Sequence, residues 1–278
     1  MKYYSTGNEG FKSLLSQIST GSFPGNGTKE IIAAHHCFVN PRDVVITIPE
    51  RNFKIDYAVQ EVAWYLSRNR NVDEIGSKAK IWQIIADSKN EVESNYGTYL
   101  WNEHPEFQES QFEWIIKELI RDKNSRKAVL NINSHSHKYK NHNDLPCTVS
   151  ISFLIRDHGL NMFVNMRSND LIFGWCNDIF AFSFIHQLVY NELKQVYPKL
   201  ELGEYYHYAT SLHVYEKHFH YFEIPITFPD EEYILFLPEY MTYSYLQENF
   251  DLQNQSIEVI AEKLKPLIIK KKICNINV

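Results

Sequence analysis

Apolar and polar positions follow two different periods along this chain. Ile55, Val59, Val62, Ala63 and Leu66 recur at helical spacing, which predicts an amphipathic helix over 55–68. Phe112, Ile115, Ile116 and Leu119 mark a second helix within 107–121. Residues 179–196 are mostly apolar with a polar tail end, the pattern of a buried helix. Period-two alternation marks strands. Val149, Ile151 and Phe153 share one side of 148–156, and Met162, Val164 and Met166 share one side of 160–166. Asp157-His158-Gly159 between them predicts a hairpin turn. Residues 205–215 alternate aromatic and polar positions and predict a further strand. Residues 20–29 are turn-rich, and the polar run 132–144 reads as a loop that ends at Leu145-Pro146-Cys147. Helices and antiparallel-type strands are mixed without a βαβ rhythm, so the expected class is α+β.

Composition narrows the function. The chain has 278 residues, 44% of them hydrophobic, and no internal repeat, so one domain over 1–278 is expected. The net charge of −6 is spread along the chain, with no basic arm, which argues against a nucleic-acid partner. Lys270-Lys271-Lys272 is too short to change that and reads as a solvated tail. No apolar run approaches a membrane span of roughly 18 residues, and Met1–Asn8 holds no apolar signal core. Cys37, Cys147, Cys176 and Cys274 are widely spaced with no CxxC pair, which points to a reducing cytoplasm and away from a disulfide framework. His135-x-His137 and His218-x-His220 lack a third ligand at a matching offset, so no metal is expected.

Three segments carry candidate chemistry: Leu145-Pro146-Cys147, Met166-Arg167-Ser168-Asn169-Asp170 and Leu212-His213-Val214-Tyr215. A cysteine after a proline at a loop–strand junction is poised rather than buried, though a nucleophile needs supporting context. Arg167-Ser168, at a strand end, offers a guanidinium fork and a hydroxyl that suit a phosphate dianion. The order and spacing resemble the thymidylate synthase family: Pro146-Cys147, then Arg167-Ser168-Asn169-Asp170, Gly174, Asp178 and His213-Val214-Tyr215. Upstream, Gln60-Glu61-Val62-Ala63-Trp64-Tyr65-Leu66 is similar to the family's helix with a buried glutamate. Ile81-Trp82 resembles its folate-side tryptophan, Tyr96-Gly97 its Tyr-Gly loop, and Ser125-Arg126-Lys127 its Ser-Arg-Arg. The resemblance covers about residues 55–218.

That resemblance implies a mixed, mostly antiparallel sheet with packed helices, and a homodimer with shared active sites. It implies Cys147, Glu61 and Tyr96 as catalytic residues. Arg167, Ser168, and Arg126 and Lys127 from a second subunit would hold the phosphate of a pyrimidine nucleoside monophosphate, with Lys29 standing where the family has another phosphate arginine. His213 and Tyr215 would bond the sugar, and Trp82 and Asp170 would face the folate co-substrate, methylenetetrahydrofolate.

The departures are informative. The family places a uracil-reading asparagine eleven residues after the arginine, and that position is Asp178. A carboxylate accepts from cytosine N4–H and repels uracil O4, so Asp178 points to a cytosine base, whose N3 then needs a proton from the carboxyl or on the ring. A one-residue slip would put Asn177 there instead. The family's histidine after the cysteine is Thr148, its glutamine before the arginine is Met166, and its Pro-Phe is Cys176-Asn177. The closing Asn275-Ile276-Asn277-Val278 does not match the family's tail, which helps exclude water. Water capture of a C5 methylene gives a hydroxymethyl product. The chain therefore resembles the (deoxy)cytidylate 5-hydroxymethylase branch, with a methyltransferase making thymidylate or 5-methylcytidylate, and a non-catalytic nucleotide-binding homologue, as alternatives. Ribose and deoxyribose are both open.

Overall fold

The computed structural model describes residues 1–140 and 143–271. Lys272, Cys274 and the closing Asn275-Ile276-Asn277-Val278 lie outside the described residues. The first elements are β1 (Lys2–Tyr4), α1 (Gly7–Ser19), β2 (Thr28–Phe38), α2 (Ile55–Ser67), α3 (Asp73–Lys78), α4 (Ile81–Ile85), α5 (Gly97–Trp101) and α6 (Gln111–Arg121). Then come β3 (Val129–Asn131), β4 (Thr148–Arg156), β5 (Gly159–Met166), β6 (Asn169–Asp170), α7 (Cys176–Lys194) and β7 (Glu201–Tyr215). The chain continues through β8 (Tyr233–Leu235), α8 (Tyr243–Phe250), α9 (Ile257–Leu264) and β9 (Ile268–Lys270).

The main sheet runs β1-β2-β7-β5-β4-β3, with β6 beside β7. Its two longest antiparallel ladders are β2–β7 and β4–β5. The pairs β1–β2 and β5–β7 are parallel, so β1-α1-β2 and β5-α7-β7 are βαβ crossovers inside an α+β fold. Periodicity along single strands carries no sign of them, because pairing direction is a property of two strands.

The register separates the faces. Tyr4, Phe38, Tyr205, Met162 and Phe153 form one row across the sheet and are all buried. The next row, Tyr3, Cys37, Tyr206, Phe163, Ser152 and Val129, lies on the opposite face, and all of it except Cys37 is at least partly open. The helices pack on the inner face. α7 is buried on almost every side, against β5 and β7 below and α1, α2 and α6 around it. Its Phe180, Phe182 and Phe184 each contribute roughly 1.5–3 kcal/mol by leaving water. Among the described residues no helix is long and apolar enough to cross a membrane.

Element ends depart from the periodic pattern for local reasons. α6 starts at Gln111 because Ser110 and Glu113 form a capping box, each side chain accepting the other's backbone N–H. α7 starts at Cys176 rather than 179, as the continuation of a π-helical turn over Leu171–Trp175. Asp170 caps that turn by accepting from Ile172 N and Phe173 N. The extension places Asp178 inside the first turn of α7. The polar 132–144 segment contains a short 3-10 turn, His135–Tyr139.

Candidate active site

The β4–β5 hairpin builds the nucleophile's surroundings. Asp157 and His158 have φ of 47° and 71°, the left-handed pair that a two-residue type I′ turn requires. The two strands then run back in register, and Arg167 N, just past β5, donates to Cys147 O, just before β4, at 2.9 Å. The Arg167 guanidinium donates to Pro146 O at 3.2 Å and Leu145 O at 2.6 Å, and lies 3.6 Å from Cys147 Sγ. Burial pushes the Cys147 thiol up to about 11, against the pull of Arg167, with Asp178 and Asp144 adding to the rise. The resting thiol is therefore protonated at neutral pH, and its attack on a substrate must be coupled to proton loss.

A group of buried acids and phenols is linked through Asp178, whose charge acts on Glu61, Tyr57, Tyr96 and Cys147. Glu61, on α2, is pushed up to about 8, first by burial and then by the Asp178 charge. Tyr57 OH donates to Glu61 Oε1 at 3.3 Å and receives Trp82 Nε1–H at 2.8 Å. Tyr96 stacks on Tyr65 and Phe182, and burial with the charges of Asp178 and Cys147 raises its phenol. Asp178 is half-buried, and burial pushes its carboxyl up to about 7. Asn169 opposes that rise by donating to Asp178 Oδ2 at 2.7 Å. Asn177 turns elsewhere: its Nδ2 donates to Phe173 O at 2.9 Å, within its own turn. The Asp178 charge acts on Cys147, Glu61 and Tyr96 alike.

These raised carboxyls have a thermodynamic consequence. The unfolded chain ionises both near pH about 4, whereas the fold holds Asp178 to about 7 and Glu61 to about 8. The folded state binds more protons in that interval, so stability falls as pH rises through it. Asp178→Asn removes one of the two acids. Its thermal midpoint should vary less between pH 4 and 8 than that of the wild type. At pH 8 it should be the more stable protein by on the order of 1–3 kcal/mol, as read from thermal unfolding. A variant as pH-sensitive as the wild type would show that Asp178 is not a buried acid.

The remaining candidates divide. Ser168 is half-buried beside Arg167. His213 is buried and meets the Tyr215 ring edge-on at 4.9 Å. Tyr215 is raised by burial and by the charges of Asp170 and Cys147. Trp82 is half-buried at 4.8 Å from the Trp64 ring. Asp170 is half-buried and caps the π-helical turn. Lys29 does not join the group: its Nζ donates to Ser19 O at 2.9 Å and sits over the Phe222 ring. Arg126 and Lys127 are exposed on the segment between α6 and β3. Ser125 just before them is pinned by its hydroxyl bond to Glu118. Of the paired histidines, His137 accepts from Ser134 N and His218 lies edge-on to Phe173. Among the described residues no group of three His, Cys, Asp or Glu could hold a metal.

Sequence reasoning overlooked three residues here. Tyr57 stands four positions before Glu61, on the same helix face, a spacing that could have revealed it. Asn169 lies inside the Arg-Ser-Asn-Asp run but is not distinguished there from a spacer. Arg51 donates to Ile172 O at 2.5 Å and braces the π-helical turn from 121 positions away, and no local pattern signals it.

The chain is similar to known proteins in both sequence and fold. Deoxycytidylate 5-hydroxymethyltransferase of Enterobacteria phage T6 is 33% identical over 172 residues, covering 59% of this chain and 69% of that protein. A thymidylate synthase of Haloferax volcanii is 22% identical over 184 residues, covering 59% of this chain and 52% of that one. The structure of thermostable thymidylate synthase A from Bacillus subtilis superposes with a TM-score of 0.66 at 17% identity, over 90% of this chain and 92% of that one. Thymidylate synthase from T4 phage gives 0.62 at 16% identity, over 95% and 94%. The family pattern described as thymidylate synthase matches residues 19–261, and the chain belongs to that family of one-carbon transferases acting on pyrimidine nucleotides.

Proposed function

We propose that this protein hydroxymethylates C5 of a cytidine-type nucleoside monophosphate, deoxycytidylate or cytidylate, with methylenetetrahydrofolate as one-carbon donor. The observation that carries the reading is Asp178, held by Asn169 Nδ2 at 2.7 Å, with its charge acting on Cys147, Glu61 and Tyr96. The 33% identity to a phage deoxycytidylate 5-hydroxymethyltransferase supports it.

In this reading the phosphate takes over the guanidinium fork of Arg167, now held by the Leu145 and Pro146 carbonyls, with the Ser168 hydroxyl beside it. Lys29 would have to release Ser19 O to reach the phosphate. His213 and Tyr215 bond the sugar. Cys147 Sγ adds to C6 and sends the ring electrons to C5, which becomes nucleophilic. The Arg167 charge at 3.6 Å favours the thiolate as it forms. Glu61 is neutral at pH 7 and stays oriented by Tyr57, so it can hold and pass a proton near the base. Methylenetetrahydrofolate, when bound, supplies the one-carbon electrophile for C5.

The residues present fit a folate. Trp82 is half-buried with its Nε1 fixed on Tyr57, and α4 buries none of its side chains, leaving Ile81 and Ile84 exposed. Asp170 adds a half-buried carboxylate whose charge acts on Tyr215.

The alternative product is a 5-methyl pyrimidine, and the thymidylate synthases among the relatives favour it. One experiment separates the readings. The protein is incubated with methylenetetrahydrofolate and each of deoxycytidylate, cytidylate, deoxyuridylate and uridylate, and the nucleotide is weighed. A gain of CH2O on a cytidine nucleotide is the expected result. A gain of CH2 indicates the methyltransferase, and no gain on any nucleotide a non-catalytic binder.

We further propose that the site is completed by a second copy of the chain. The open sheet face carries Phe163 stacked on Tyr206 at 4.6 Å and His35 edge-on to Tyr208. Such a contiguous aromatic face suits burial against its own copy. Arg126 and Lys127 stand outside their own chain's cleft, free to reach the partner's phosphate. Arg126→Ala and Cys147→Ala should each be inactive alone. After subunit exchange, a hybrid dimer holds one intact site, so the mixture should recover up to about a quarter of wild-type activity if exchange is random. Mixtures that exchange subunits yet stay inactive would rule out the shared site.

A further inference from the structure

Behind Asp178 lies a row of side chains that the proposed reaction does not use. Tyr205 OH is 2.8 Å from His207 Nδ1, His207 Nε2 is 3.0 Å from Asn169 Oδ1, and Asn169 Nδ2 donates to Asp178 Oδ2 at 2.7 Å. Tyr205 and His207 are fully buried and Asn169 nearly so. We infer that Asn169 is a positioning residue for the base-reading carboxyl, held in one orientation by His207 and Tyr205 so that a one-way chain of hydrogen bonds ends on Asp178.

The direction follows from which atoms can donate. An ionised carboxylate only accepts, so the amide NH2 of Asn169 must face Asp178 and its Oδ1 must face His207. An amide oxygen only accepts, so His207 carries its hydrogen on Nε2. Burial pushes His207 down to about 3, so it is neutral and Nδ1 is then an acceptor. Tyr205 OH donates to it. The reverse polarity would leave the Tyr205 hydroxyl hydrogen without an acceptor among the described residues, in a fully buried place. Three groups with no other freedom therefore set the rotamer of Asp178.

The inference rests on the reading of Asp178 as the base reader, and it deepens that reading. A hydrogen bond donated to a carboxylate favours its charged form and lowers its affinity for a proton. Cytosine N3 and Asp178 must share one proton. The Asn169 donor shifts that proton towards the ring, and a ring protonated at N3 is more open to attack at C6 by Cys147.

The test measures the Asp178 ionisation directly in nucleotide-free protein, by carbon NMR of labelled aspartate, with Asp178→Asn to assign the signal. The other titrating groups around Asp178 are Glu61, Tyr57 and Tyr65 on α2, Tyr96 beside α5, Cys147 before β4, Asp170 on β6, Cys176 on α7 and Tyr205 on β7. All of them stay in place in the variants except Tyr205 in its own. Asn169→Ala should raise the Asp178 midpoint by about one unit, a tenfold gain in proton affinity. Tyr205→Phe removes a single hydroxyl and tests the chain even if Asn169→Ala does not fold. It should move the midpoint in the same direction by a smaller amount. In turnover, the pH profile of kcat/KM should shift with the midpoint. A Tyr205→Phe protein whose Asp178 titrates as in the wild type overturns the inference. Wild-type preference for uridylate would instead overturn the base reading, and the ionisation measurement would still decide the role of Asn169.

Discussion

Cys147→Ala should lose turnover by on the order of 10⁴-fold or more, while nucleotide binding persists. The loss follows from the role of the thiol. Without a nucleophile at C6 the ring has no means of making C5 electron-rich, and no other side chain in the cleft has a comparable intrinsic nucleophilicity. Binding should survive because the phosphate and base contacts lie elsewhere. Arg167 keeps its backbone position against Cys147 O and its bonds to the Leu145 and Pro146 carbonyls, none of which depends on Sγ. Asp178 keeps its bond to Asn169. Cys147→Ser should be nearly as inactive, since a hydroxyl is far harder to ionise than a thiol already pushed up to about 11. Calorimetric titration with the monophosphate, beside a turnover assay, checks both halves. Normal turnover by the alanine variant would remove the covalent mechanism.

Asp178→Asn should exchange the base. The substitution keeps the volume, and the amide oxygen can still accept from Asn169 Nδ2, so the amide NH2 is the group left for the base. It donates to uracil O4 and confronts the donor on cytosine N4. One reversed hydrogen bond in a buried site is worth roughly 1–3 kcal/mol, or about ten- to a hundredfold in each direction. The efficiency with a cytidine nucleotide should fall and that with the matching uridine nucleotide should rise, as read from the ratio of kcat/KM values. The variant also loses a group that titrates near about 7, so its pH profile should be flatter. A wild type that prefers uridylate, with a preference untouched by Asp178→Asn, would show that the base is read elsewhere in the cleft.

The two residues differ in how they can be recognised. Cys147 is marked by its neighbours in sequence, a proline before it and a strand after it, and the structure places it at that junction. Asp178 is marked only by its offset from Arg167, and a slip of one residue would have passed the role to Asn177. The π-helical turn over Leu171–Trp175 leads directly into α7, which carries both residues. Asn177 Nδ2 donates to Phe173 O within that turn, and Asp178 Oδ2 accepts from Asn169 Nδ2. That turn depends in part on Arg51, far away in the chain.

The sequence by itself determined what depends on neighbours along the chain. Periodicity located the helices that begin at Ile55 and Gln111 and the strands of the β4–β5 hairpin, because a buried face repeats at the period of its element. The turn at Asp157-His158, and with it the meeting of Arg167 with Cys147, follows from the same local rule. The order of Glu61, Trp82, Tyr96, Cys147, Arg167 and His213 sufficed for the family. Tertiary structure decided what depends on distance across the fold. It set the two parallel crossovers, the engagement of Lys29 by Ser19, the raised carboxyls of Glu61 and Asp178, and the chain from Tyr205 to Asn169. A residue type states which hydrogen bonds and charges are available. Only packing decides how much water is removed around them, and that removal moves both carboxyls to neutral pH and makes every donor behind Asp178 point one way.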